Sequence, residues 1–143
     1  ENLQSVPLFD TSSVTNMSWM FYYCRSLQSV PLFNTSLVTD INYMFQSCKS
    51  LREVPAFNFS NVYSSWYPFS YCDRLTRILI TGIGPNVGGT FDVEFCNLSS
   101  AALNELYTNL GSTTYGTIEV GGNYGTSFDD PSIATAKGWT VYG

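Results

Sequence analysis

Leu3, Leu27, Leu51 and Leu75 stand 24 residues apart, and the same step links Cys24, Cys48 and Cys72, then Phe21, Phe45 and Phe69. Pro7, Pro31 and Pro55 repeat with them, as do Val6, Val30 and Val54; Phe9, Phe33 and Phe57; Val14, Val38 and Val62; and Ser12, Ser36 and Ser60. A unit this short cannot bury its own apolar faces. Units built this way have to stack, each covering the next, with backbones about 4.8 Å apart where they pair as strands.

Within the unit, Leu27-Gln28-Ser29-Val30-Pro31-Leu32-Phe33 is a short apolar stretch closed by Asn34-Thr35-Ser36, which predicts a strand and its turn. In Thr15 to Cys24, the residues Met17, Met20, Phe21 and Cys24 fall at i, i+3, i+4 and i+7. That spacing predicts a short helix, with Thr15 and, one copy later, Thr39 as N-caps. A period of this length with a leading leucine indicates the leucine-rich-repeat class. The expected architecture is an α/β solenoid: a stack of parallel strands with short helices on the outer face. Residues 1–80 form its 24-residue repeats, and 81–143 form irregular C-terminal repeats and a cap of the same domain.

In that second part, Phe91-Asp92-Val93-Glu94-Phe95 alternates as a strand does, and Leu103, Leu106, Tyr107 and Leu110 make a helical stripe that follows a serine and stops at Gly111. Thr117 to Asn123 repeats the strand and turn. Asp130-Pro131 opens a short helix that Gly138 closes, and Trp139 to Tyr142 supplies a last strand. Gly82 to Gly89, with Pro85, is expected to be a loop. Cys96 keeps the 24-residue spacing but precedes Leu98 by two residues rather than three, so that step is read as coincidence.

The unit Leu-x-x-Val-Pro-x-Phe-Asp/Asn-x-Ser-x-Val-x-x-Met/Ile-x-x-Met-Phe-x-x-Cys resembles the bacterial surface-protein repeat of mycoplasma lipoproteins and of the BspA-like branch of the leucine-rich repeats, over residues 1 to about 80. The third copy departs from it, with Phe59, Ser65 and Pro68 at pattern positions. Residues 91–106 resemble a more general leucine-rich repeat, in which Cys96-Asn97 would supply a side-chain ladder, and 99–143 resemble the ends of such repeats in bacterial surface and phage tail proteins. The resemblance implies an extracellular adhesion or host-recognition module, at a cell surface or virion, without catalytic residues.

Charge narrows the partners. Of 143 residues, Lys and Arg total 6, Asp and Glu 11, and there is no histidine, which disfavours nucleic acid or an anionic membrane surface as partner. No apolar run is long enough for a spanning helix and no signal peptide opens the chain, so membrane insertion is not expected. Because the chain starts in mid-repeat at Glu1-Asn2-Leu3, it reads as the C-terminal piece of a longer protein.

Comparing the copies separates columns the stack requires from columns it does not. The unmatched columns hold Asn16, Asp40, Ser64; Ser18, Asn42, Trp66; Trp19, Tyr43, Tyr67; Tyr22, Gln46, Ser70; and Tyr23, Ser47, Tyr71. Rigid amphipathic rings among short polar groups are the vocabulary of paratopes, whereas a solvated face carries Lys and Glu. Trp19, Tyr22, Tyr23, Tyr43, Trp66, Tyr67 and Tyr71 are therefore the candidate ligand-binding residues for a protein or glycan receptor. The alternative reading is a structural segment of a fibre or surface layer, in which sister subunits bury those rings. The strand-side, concave face is the competing site, with Gln4, Gln28, Arg52, Glu53, Arg77, Asp92, Glu94 and Glu119.

Catalysis has little to work with: Asp92 and Glu94 share a strand face but read as a solvated pair. Without histidine or a Cys-x-x-Cys spacing, neither a zinc site nor any other cofactor is expected, and the cysteines read as a buried ladder of free thiols. Asn34-Thr35-Ser36 and Asn58-Phe59-Ser60 match a glycosylation acceptor but sit where turn chemistry explains them. Asn123, Asp129 and Asp130 are a weak calcium candidate.

Overall fold

Each 24-residue unit lies against the next in the computed structural model, which describes residues 2–84 and 87–143. Two rows of backbone contacts run along the stack. In the first, the Gln28 N–H donates to the Gln4 carbonyl at 2.9 Å, Arg52 to Gln28 at 3.4 Å and Thr76 to Arg52 at 2.9 Å. The row matures into a parallel pair, β1 (Glu53–Val54) and β2 (Arg77–Ile78).

The second row contains the predicted helices, and there the expectation fails. Met17 to Cys24 and its two copies are not helical; among the described residues the α-helices are Ser100–Asn109 and Ser132–Thr135. The N–H groups of Met17, Trp19, Phe21 and Tyr23 donate instead to the carbonyls of Asp40, Asn42, Met44 and Gln46, at 2.9 to 3.0 Å. Between them run tight turns, with Met20 N–H on Met17 O, Tyr22 on Trp19 and Cys24 on Phe21. Consecutive turns put side chains on one side at nearly the spacing of a helix, but they leave alternate N–H groups free to bridge units. A helix would have consumed those groups internally. Thr15 and Thr39 accordingly cap nothing; the Thr39 N–H and hydroxyl both donate to the Thr15 carbonyl.

The turns require φ > 0 at their third residue, and the chain supplies it with side chains rather than glycine: Trp19 (62°), Tyr23 (56°), Tyr43 (56°), Ser47 (62°), Tyr67 (50°), Tyr71 (61°) and Phe95 (51°).

Aromatic columns and thiols fill the interior. Phe33 and Phe57 stack at 6.2 Å between centroids, with the exposed Phe9 ending that column 6.0 Å from Phe33, and Phe21, Phe45 and Phe69 stack at 5.1 and 5.7 Å. Fully burying one such ring stabilises by about 1.5–3 kcal/mol. Each corner is set by Asp10, Asn34 or Asn58, whose Oδ1 accepts from the N–H two residues on, at Ser12, Ser36 or Ser60. Thr11 and Thr35 hydroxyls then tie each corner to the next, at Asn34 O and Asn58 O.

Beyond residue 81 the units change sides. Three strands, β3 (Thr90–Asp92), β4 (Thr117–Glu119) and β5 (Thr140–Tyr142), pair in parallel, and they continue the second row, since the Phe69 N–H donates to the Asp92 carbonyl. Helix α1 (Ser100–Asn109) continues the first row, packing on β2 with Arg77 paired to Glu105 at 2.6 Å. Ser99 caps it, accepting from the Ala102 N–H. Gly111 is not its left-handed stop; a Cβ there would meet Gly82 O and Ile83 O at 2.9 Å, so the residue is needed for close backbone approach. Helix α2 (Ser132–Thr135) follows Pro131, and Gly138, at φ 88°, turns the chain into β5. Of the expected Gly82–Gly89 loop, Pro85 and Asn86 lie outside the described residues.

Candidate functional site

The left-handed turns place their third residues along the outer edge of the second row, and the stacking of units lines those residues up. Trp19 stacks on Tyr43 with centroids 4.2 Å apart, and Tyr43 on Tyr67 at 5.7 Å. Tyr22 meets Trp19 edge-on at 4.8 Å and Tyr23 at 4.6 Å, while Trp66 lies beside Tyr67 at 6.3 Å. Six of the seven candidates thus form one connected ribbon. Tyr71 stands in the parallel column, stacked on Phe95 at 4.9 Å, and shares a groove with Tyr23. All seven are exposed except Tyr43, which is half-buried between its neighbours.

Ring edges dominate this surface, because the faces in the Trp19–Tyr43–Tyr67 column turn toward one another. Trp66 also holds units together: its indole lies over Gly89, where a Cβ would come within 2.7 Å of the ring, and its backbone N–H donates to Asn42 Oδ1 at 2.7 Å. Asn42 exchanges hydrogen bonds with Ser64 as well, at 2.8 and 3.1 Å, so polar residues between the rings hold neighbouring units in register.

Two residues belong to the ribbon that the sequence pattern did not single out. Phe95 extends the Tyr23–Ser47–Tyr71 column by one more 24-residue step, and Arg25 places its guanidinium 5.0 Å over the Tyr23 ring. The signal for Phe95 is the Cys96 step beside it. The Cys96 thiol donates to the Phe69 carbonyl, as Cys72 does to Phe45 and Cys48 to Phe21, so the fourth step is structural and not coincidental. All four cysteines are free thiols, and burial pushes those of Cys48 and Cys72 far up.

The competing face does not hold together. Gln4, Gln28, Arg52, Glu53 and Arg77 lie on the first row, whereas Asp92, Glu94 and Glu119 lie on the second, in line with the aromatic turns. Nor are Asp92 and Glu94 a solvated pair. Asp92 is buried, its Oδ1 accepting from the Glu94 N–H at 2.8 Å, and burial pushes its carboxyl up. Glu94 and Glu119 are raised as well, by burial first and then by the Asp92 charge, among the neighbouring carboxylates.

The weak calcium candidates are spent on internal bonds. Asn123 is buried, accepting from the Leu98 N–H and donating to the Val93 and Val120 carbonyls. Of the expected Cys96-Asn97 ladder, Cys96 continues the thiol series, and Asn123 rather than Asn97 supplies the buried amide bonds. Asp129 accepts from the Tyr107 hydroxyl at 2.6 Å, and Asp130 caps Ser132. Among the described residues no group of three or more acidic or cysteine side chains is placed to hold a metal ion, and no helix is long and apolar enough to cross a membrane.

Residues 1–81 match the family described as "Mycoplasma protein of unknown function, DUF285", and the chain belongs to that family. No curated protein and no solved structure matches it.

Proposed function

We propose that this chain is a leucine-rich-repeat solenoid working as an extracellular target-recognition or adhesion module, with a protein or glycan receptor held on the aromatic ribbon. The kinship with BspA-like surface repeats and phage tail proteins, and a place at a cell surface or virion, belong to the same proposal.

One observation carries it. Left-handed backbone costs a non-glycine residue about 1–2 kcal/mol, and glycine or asparagine would take these turns cheaply. Yet of the seven non-glycine residues in that conformation among the described residues, six are aromatic: Trp19, Tyr23, Tyr43, Tyr67, Tyr71 and Phe95. Stacking of these rings on one another, worth about 0.5–1.5 kcal/mol, at most offsets that strain, so packing alone does not favour rings over glycine here, and all but the half-buried Tyr43 are left exposed. Strain retained in this way marks a working surface.

The test uses Tyr43→Ser and Tyr67→Ser, each checked for unchanged circular dichroism, in a cell-surface and glycan-array binding screen. Loss of the binding shown by the wild type is the expected result; unchanged binding by both variants overturns the reading. Trp66→Ala is a poorer probe because of Gly89.

A second reading, an assembly segment that buries aromatics between subunits, has its own support in the far end of the chain. Tyr115 and Phe128 are 90% and 85% exposed there, with Tyr124 and Tyr142 also open. An obligate oligomer in solution, dispersed by Phe128→Ser, would favour it; a monodisperse monomer favours recognition.

A further inference from the structure

The column Tyr23, Ser47, Tyr71, Phe95 has one position without a ring. Ser47 keeps the left-handed φ of its neighbours, 62° against 56° at Tyr23 and 61° at Tyr71, but carries no ring there and is itself buried at the base of the column. Two unit steps separate Tyr23 from Tyr71, about 9.6 Å along the stack. Within that interval lies a groove of about 270 Å³ lined by Tyr23, Arg25, Gln46, Ser47, Lys49 and Tyr71.

The walls of the groove are chemically distinct. One face of Tyr71 is occupied by Phe95, parallel to within 11°, so its other face looks across Ser47. Opposite stands Tyr23 with the Arg25 guanidinium over its ring. No carboxylate pairs with Arg25 among the described residues, and Lys49 pairs only with Asp73, at 3.0 Å between two half-exposed side chains, a bond worth little in water. A chain of net charge −5 therefore concentrates two of its six cations at one aromatic slot. Gln46 and Ser47 add amide and hydroxyl groups at its base.

We infer that this slot binds a single sugar ring carrying a carboxylate, the ring stacked on the free face of Tyr71 and the carboxylate on Arg25. At about 270 Å³ the groove falls just below the usual range for drug-sized ligand sites, about 300–1,000 Å³, and suits one ring and not a peptide. A saturated ring presents C–H bonds to Tyr71, its hydroxyls meet Gln46 and Ser47, and a guanidinium matches a carboxylate with two parallel hydrogen bonds. This inference rests on the reading of the ribbon as a recognition surface and names a ligand class for one part of it.

The experiment titrates glucuronate, N-acetylneuraminate, glucose and benzoate into wild type, Arg25→Gln and Ser47→Tyr, followed by protein NMR. Ser47→Tyr fills the slot with a residue that the column carries at the exposed Tyr23 and Tyr71; because Ser47 is buried, the variant is used only with circular dichroism and melting unchanged. Lys49→Gln with Gln46→Ala, on the groove's rim, serves as the second blocking variant, expected to weaken acid-sugar binding. The wild type should bind one or both acid sugars at millimolar concentration, with glucose weaker by about tenfold, equivalent to about 1.4 kcal/mol. Arg25→Gln should erase the preference for acid over glucose, and Ser47→Tyr should abolish binding. Acid-sugar binding unchanged in Ser47→Tyr, no binding of either acid, or benzoate binding as tightly as glucuronate would each overturn the inference. If these fail while Tyr43→Ser and Tyr67→Ser still abolish receptor binding, the slot is wrong and the ribbon stands. If receptor binding survives those two variants, the ribbon is wrong whatever the slot does.

Discussion

The Cys96 thiol donates to the Phe69 carbonyl at 3.2 Å, 27 residues back, repeating the bonds of Cys72 to Phe45 at 3.1 Å and Cys48 to Phe21 at 3.0 Å. Each thiol satisfies a carbonyl of the preceding unit while filling apolar space. Cys24, at the start of the row, is only half-buried. Thiolate, not thiol, is the reactive form, and burial holds it down at Cys48 and Cys72, while Cys96 is shielded from reagent by its burial. Native protein treated with an alkylating reagent should therefore be labelled at Cys24 first, with Cys48, Cys72 and Cys96 reacting only on unfolding. Mass mapping checks this, and Cys72 reacting as fast as Cys24 would contradict it.

The far end of the stack depends on Gly138. Its φ of 88° is one that side chains rarely adopt, and a Cβ there would run into the Thr113 carbonyl. Gly138→Ala should cost about 3 kcal/mol, combining left-handed strain with overpacking of backbone atoms. Thermal melting reads the loss directly. A neighbouring control is Lys137→Met: the ammonium donates to the carbonyls of Tyr107, Thr108 and Leu110 at the end of α1, and its removal should cost about 1–2 kcal/mol.

Asp92 gives the pH dependence a sign. Burial raises its carboxyl above the unfolded value, so its contribution favours the fold at low pH and is lost as pH rises through the folded value. Glu94 and Glu119, facing it from β3's own chain and from β4, are raised in the same direction. Asp92→Asn keeps an oxygen for the Glu94 N–H and carries no charge. It should be more stable than wild type at pH 7, and the gap should close as pH falls into the carboxylate range. A gap that widens on acidification would show that the Asp92 charge is paired rather than merely buried.

What is legible in the sequence follows from which contacts are periodic. Columns such as Phe21, Phe45, Phe69 and Leu27, Leu51, Leu75 face inward in every copy, so side-chain identity alone exposes them. The backbone between them is deceptive, because Met17, Met20, Phe21 and Cys24 satisfy a helical pattern that consecutive turns also satisfy. Only the destination of the N–H groups, to the next unit rather than to the fourth residue back, separates the two. Beyond residue 81 the trace thins to Phe95 and Cys96, whose 24-residue step continues the aromatic row and places Asp92 and Glu94 on it, one step after Pro68 and Ser70; with Cys96 read as coincidence, that placement stays hidden. The seven candidate rings emerge from the unmatched columns. The gap at Ser47 and the cation at Arg25 acquire meaning only once the units are stacked.

Backbone strain at the turns can be tested apart from binding. Ser47 is the one non-aromatic residue among the seven with φ > 0, and its N–H donates to the Ser70 carbonyl whatever the side chain. Ser47→Gly relieves about 1–2 kcal/mol of left-handed strain and gives back part of it through the greater freedom of glycine when unfolded, leaving a gain of about 0.5–1 kcal/mol. Tyr67→Gly relieves the same strain but also forfeits the stacking on Tyr43, worth about 0.5–1.5 kcal/mol, and should come out near neutral. Denaturant unfolding of both variants checks the pair. If Ser47→Gly were destabilising, the turns would not be strained, and the aromatic residues would need no functional reason to occupy them.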